Sequence, residues 1–129
     1  KTRRGQSYFR DVVLNNYDNK CGISGLDLRE LLVASHILPW ANHEAERLNV
    51  RNGICLSRLH DAAFDQHLIS FDDELRLVLS PRLKQAVSRK LLIYAFADFE
   101  GSSLNLLADA VPPDPGFVAK HRARLAMAA

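Results

Sequence analysis

Three polar side chains in the chain are of the types that hydrolytic chemistry uses. His36 stands in the stretch Ala-Ser-His-Ile-Leu-Pro, Asn52 comes sixteen positions later, and His60 eight positions after that. An imidazole changes charge close to neutral pH, so it can take a proton from water under physiological conditions. A carboxamide oxygen and a second, neutral imidazole can both ligate a divalent cation. One base beside one open metal site is the minimum equipment for hydrolysing a phosphodiester.

Such a trio works only if stiff elements hold it together. The second half of Leu28–Ile37 reads as a strand stopped by Pro39, and Ile54-Cys55-Leu56 as its partner in a hairpin. Between them, Trp40 to Asn52 is polar and charged, a loop or short helix. Asn52-Gly53 is a hairpin-turn dipeptide of the kind that takes positive φ, a role compatible with aiming the amide. Ser57 is an N-cap for a helix running to about His67, with Leu59, Ala62, Ala63 and Phe64 as its buried stripe. A hairpin followed by a helix would put His36, Asn52 and His60 on one small surface.

The flanks are also legible. Residues 6–17 place Phe9, Val12 and Val13 on one helical face, followed by an Asp18-Asn19-Lys20 turn and a short extended piece, Cys21 to Gly25. Leu68–Phe71 and Leu75–Leu79 read as two strands across an acidic turn. Pro81 opens a helix to about Arg89. Leu91–Phe99 is ambiguous between helix and strand, residues 112–115 are a linker or docking loop, and Phe117–Ala128 is a basic helix.

The fold class expected is α+β. At 129 residues the chain is one domain's worth, and 47% apolar with 25% charged residues excludes a disordered or fibrous protein. No apolar run reaches the ~20 residues of a membrane span. The two cysteines, Cys21 and Cys55, form neither a disulfide framework nor a Cys-x-x-Cys pair, so no structural zinc is expected. The net charge is only +2, but Lys1, Arg3, Arg4 and Arg10 cluster at one end and Lys120, His121, Arg122 and Arg124 at the other. Basic ends around a near-neutral middle suit a polyanion gripped at its phosphates, although on charge alone solubilising termini are the favoured reading. A start without Met or an apolar leader is expected of a fragment of a longer protein.

Several words of the sequence, taken in order, resemble the HNH endonucleases, the ββα-metal nucleases, and most closely the branch at the C-terminal end of restriction-type enzymes. They are Arg4-Gly-Gln, Phe9-Arg10, Cys21-Gly-Ile-Ser-Gly25, Leu32-Val-Ala-Ser-His-Ile-Leu-Pro-Trp40, Arg51-Asn-Gly-Ile-Cys-Leu56, His60-Asp-Ala-Ala-Phe-Asp65 and Leu68-Ile-Ser-Phe71. The resemblance implies a single domain over 1–129. Its ββα-metal core, hairpin plus helix, would occupy about 20–72, with an N-terminal helix before it and a helical and strand extension over about 80–129.

By the same resemblance the protein is a metal-dependent DNA endonuclease of a bacterial, cytoplasmic restriction system. Its catalytic residues would be His36, Asn52 and His60, with His36 the general base. Asn52 and His60 would hold Mg2+ or Mn2+, Asn52 having the alternative role of bracing the loop that orients the base. Many family members carry an acid or His just before the base. Here that position is Ser35, so Ser35 itself or Asp61 is a further metal candidate; Asp65, at i+5 from His60, is a worse-placed one, with accepting a structural hydrogen bond as its alternative role.

Arg3, Arg4, Arg10, Arg47 and Arg51 are the expected DNA contacts, which set position and grip without reading sequence. The remaining partner expectations are a homodimer for double-strand cutting and an N-terminal specificity region outside this chain. Trp40 is expected to pack, and His43, His67 and His121 to be solvated or close to DNA. The competing expectation is a catalytically silent nucleic-acid-binding module that keeps the fold.

Overall fold

The computed structural model describes residues 2–39, 44–86 and 89–125, with the side chains of these from residue 5 onward except that of Glu44. The expectations placed on Trp40 and His43, and on the side chains of Arg3 and Arg4, lie outside the described residues.

Helix α1, Thr2–Asn16, starts earlier than the residue pattern suggests and buries Phe9, Val13 and Leu14 on one face. It stops where Asp18 and Asn19 take left-handed backbone angles (φ 55° and 56°), and the Asn19 amide caps the Leu14 carbonyl at 2.8 Å. The Cys21–Gly25 piece is a turn rather than an extended segment. Its Gly22 amide donates to Cys55 across the chain at 2.8 Å, pinning the turn to the hairpin.

The hairpin is β1 (Leu32–His36) against β2 (Gly53–Ser57), antiparallel, with Leu32 opposite Ser57 and His36 opposite Gly53. All five β2 residues are buried, because α1 and the following helix cover the pair. Gly53 is extended (φ −129°, ψ 143°), so it is no turn glycine. It is there for close approach: a Cβ would stand 2.5 Å from Val13 Cγ2 and 2.8 Å from Phe9 Cζ.

Helix α2, Arg58–Asp65, begins at Ser57, whose hydroxyl accepts the His60 amide at 3.2 Å. Its buried face is His60, Ala63 and Phe64; Leu59 and Ala62 point outward, contrary to the expected stripe. The helix closes with His67 at φ 60°, its amide returning to Phe64 and the Leu68 amide to Ala63. That is the Schellman pattern, with histidine in the place usually held by glycine.

Strands β3 (Ile69–Phe71) and β4 (Leu77–Leu79) form a second antiparallel pair, Phe71 opposite Leu77. Helices α3 (Pro81–Ala86) and α4 (Lys90–Ala95) follow, and a further single turn over Ala97–Phe99 settles the ambiguous stretch as helical. Helix α5, Pro115–Ala123, starts at the Asp114 cap and packs on β3. Phe64, Ile69, Phe71, Leu77 and Phe96 join Phe9 and Val13 in one continuous core. Among the described residues no helix is long and apolar enough to cross a membrane.

Candidate functional site

His36 sits at the end of β1, half-buried, where three neighbours fix its ring. Phe9 of α1 stacks on it face to face, centroids 4.2 Å apart and planes 5° from parallel. Gly53, opposite in the register, leaves the room Phe9 needs. The Arg47 carbonyl stands 2.9 Å from Nε2. A carbonyl can only accept, so Nε2 carries the proton of the neutral ring and Nδ1 carries the lone pair. Nδ1 has no hydrogen-bond partner among the described residues.

The ring opens on a cleft of about 360 Å³ that also takes Asp61 and Asp65 of α2, with His67 and His121 on its wall. The two carboxylates are four positions apart, hence on one face of the helix. Ser35, the residue before His36, is buried and donates its hydroxyl to Asp61. Strand alternation sends Ser35 toward α2, and the 100° step per helical residue turns Asp61 to meet it.

That same step takes His60 elsewhere. Its Nε2–H donates to the Ala95 carbonyl at 2.6 Å, and its Nδ1 meets the Ser57 hydroxyl at 2.7 Å. The Cys21 sulfur lies 3.9 Å from Nδ1 and receives the Ile23 and Ser24 amides at 3.4 Å each. Burial pushes the Cys21 thiol up, but the His60 and Ser24 hydrogen bonds outweigh it and bring it down to about 6. For His60 burial favours the neutral ring, while Cys21 and the Ala95 carbonyl favour the cation and raise its pKa. His60 borders a different, apolar cavity of about 650 Å³ against Leu91, Tyr94 and Phe99.

Asn52 is completely buried. Its Oδ1 accepts the Leu38 amide at 2.9 Å, and its Nδ2 donates to the Leu38 and Glu46 carbonyls at 3.3 Å each. The amide is therefore spent on the loop, one residue from the carbonyl that orients His36. The expected convergence of Asn52 and His60 on one cation is not met in this arrangement. The carboxylates that share the cleft with His36 are Asp61 and Asp65.

The arginines separate in the same way. Arg10 donates to the Leu32 and Arg29 carbonyls at 2.6 and 3.0 Å and ties α1 to the start of β1, so it braces the fold instead of facing DNA. Arg51 remains exposed, 3.9 Å from Asp114. Arg47 serves the site through its backbone. His121, expected to be solvated, is a core residue between Ser70 Oγ (2.8 Å) and the Phe64 carbonyl (2.7 Å), its ring stacked on Phe64 and on His67. Spacing alone gave no sign of this, because the partners lie fifty and more residues upstream.

A hard cation is the metal this cleft suits. Among the described residues no three His, Cys, Asp or Glu side chains already stand together as a cage. Two carboxylates on an open cleft are the donor set Mg2+ accepts, since that ion keeps waters and takes phosphate oxygens for the rest. Residues 21–72 match the model of the HNH endonuclease family. The match holds the hairpin, α2 and β3, and leaves α1 and α3 to α5 outside it. No curated protein matches the chain.

Proposed function

We propose that this protein, which carries an HNH endonuclease segment over residues 21–72, is a metal-dependent DNA endonuclease that serves as the cleavage module of a restriction-type enzyme. The observation that carries the reading is the posture of His36: one nitrogen tied to the Arg47 carbonyl, the other without a partner among the described residues, and the ring facing a cleft with two carboxylates.

His36 Nδ1 takes a proton from a water molecule as its oxygen attacks phosphorus. The bond from phosphorus to the 3′-oxygen breaks, and that oxygen leaves with the electron pair and is protonated by solvent. The products are a 5′-phosphate and a 3′-hydroxyl. The imidazolium formed keeps its Nε2–H on the Arg47 carbonyl, and Phe9 holds its plane. Asp61 and Asp65 would hold the divalent ion, Mg2+ or Mn2+, with Ser35 keeping Asp61 in place. When bound, that ion supplies positive charge against the phosphate oxygens.

Incubation of supercoiled plasmid with Mg2+ or Mn2+ tests this. The parent protein should nick or linearise DNA, and His36→Ala should be slower by about 10²–10⁴-fold, the usual worth of a general base. Equal rates for the two proteins refute the role of His36. The silent binding module is the second reading, and Ser35 in place of an acid is the observation that favours it. DNA binding with no metal-dependent cleavage by the parent decides for that reading.

A further inference from the structure

Helix α5 lies outside the family match, yet it forms one wall of the His36 cleft. His121 locks it there through Ser70 and the Phe64 carbonyl, and stacks on His67 at 4.4 Å. His67 lines the same cleft while holding the left-handed angle of the α2 terminus. A histidine kept where glycine would be less strained points to work for its ring.

The cations of α5 are not equivalent. Arg122 is committed to the Phe71 carbonyl at 2.9 Å and to Asp73 at 2.8 Å. Arg124 lies three positions past His121, on the same side of the helix, is exposed, and has no carboxylate partner among the described residues. Its charge is felt at both rings of the stack. One exposed guanidinium, without a carboxylate partner among the described residues, thus stands about a helical turn past the His121 wall of the cleft and near the His67 ring, a fork and a ring N–H suited to phosphate oxygens.

We propose that Arg124 and His67 bind a backbone phosphate of the nucleic acid next to the one that is cut, so that α5 completes the substrate site begun by the hairpin and α2. The inference rests on the nucleic-acid reading above but not on cleavage. Phe9 of α1 and the family-matched Arg47 orient the base, and the C-terminal helix holds the strand against it.

A fluorescein-labelled DNA duplex titrated in Ca2+ at several salt concentrations provides the binding test, and plasmid cleavage in Mg2+ the kinetic one. Arg124→Ala should bind about fivefold to tenfold more weakly near 0.1 M salt, with the salt slope flatter by about one phosphate contact. Its KM should rise while kcat stays within about twofold. Arg124→Lys should recover the slope but only part of the affinity, because the fork is lost. His67→Asn keeps a residue tolerant of positive φ and should weaken binding without changing the melting temperature. Lys84→Ala, which removes a cation paired with Glu100, is the charge control and should leave the slope unchanged. Unchanged affinity and slope in Arg124→Ala, with the fold intact by circular dichroism, overturn the proposal even if His36→Ala abolishes cleavage. A parent that binds but does not cut, together with a flatter slope in Arg124→Ala, supports the phosphate site while the nuclease reading fails.

Discussion

Asn52→Asp separates a metal-ligand role for this position from a bracing one, because the two roles predict opposite results. A ligand would gain from the change, since a carboxylate is a stronger donor to a hard cation than an amide. A brace would lose heavily. The two Nδ2 hydrogen bonds to the Leu38 and Glu46 carbonyls, at 3.3 Å each, would become contacts between a carboxylate oxygen and carbonyl oxygens in a fully buried place. Two lost hydrogen bonds cost about 1–3 kcal/mol, and the unpaired buried charge brings the sum to about 3–5 kcal/mol at neutral pH. Burial raises the pKa of the new carboxyl, so the fold binds its proton more readily than the unfolded chain does. The penalty should therefore shrink as pH falls toward that pKa. Urea unfolding at pH 7 and pH 5, with Mn2+ binding followed by electron paramagnetic resonance, measures both sides. A variant as stable as the parent that binds Mn2+ more tightly would refute the bracing role.

The remaining expectations concern the elements around the base. Burial above all holds His121 down to about 4, against the Phe64 carbonyl, which pulls the other way. The unfolded chain takes that proton first as pH falls from about 6.5 to 4, so stability is lost across that window, about 2 kcal/mol between pH 7 and pH 5. His67, also lowered, adds in the same direction, whereas the raised His60 opposes it. The difference in urea stability between the parent and His121→Asn across that window isolates the His121 share, and an imidazole seen by NMR to titrate near 6.5 would refute it. Gly53→Ala should cost about 1–3 kcal/mol by driving a methyl into Val13 and Phe9, and should also slow cleavage, since Phe9 carries the His36 ring. A melting temperature and cleavage rate equal to the parent's would show that the close approach is relaxed at no cost.

The ββα core was legible because its signals are local: a strand ended by Pro39, a Ser57 cap, and a strand partner read from Ile54 to Leu56. His36, the proposed base, stands out for the same reason. The partners of the other two polar residues were not legible. Asn52 is claimed by Leu38 and Glu46 across a loop whose path the sequence does not reveal, and His60 by the carbonyl of Ala95, thirty-five positions away. A pairing of Asp61 with Ser35 follows from strand pleat and helix pitch only once the hairpin's register against α2 is known. Gly53 misled for a different reason. Its identity signals a turn, while its real constraint is the volume of Phe9 and Val13 on a neighbouring helix.

The Arg47 carbonyl that selects the His36 tautomer belongs to the same connection between β1 and β2 that Asn52 fastens. In the proposed mechanism, chemical competence is thereby tied to the order of that connection and not to the stability of the core. A chain whose connection has loosened would keep its hairpin and helices, yet its imidazole could carry the proton on either nitrogen and present the wrong one to water. Spectroscopic folding and hydrolytic competence can therefore part company in this protein, and a sample that passes the first test has not passed the second.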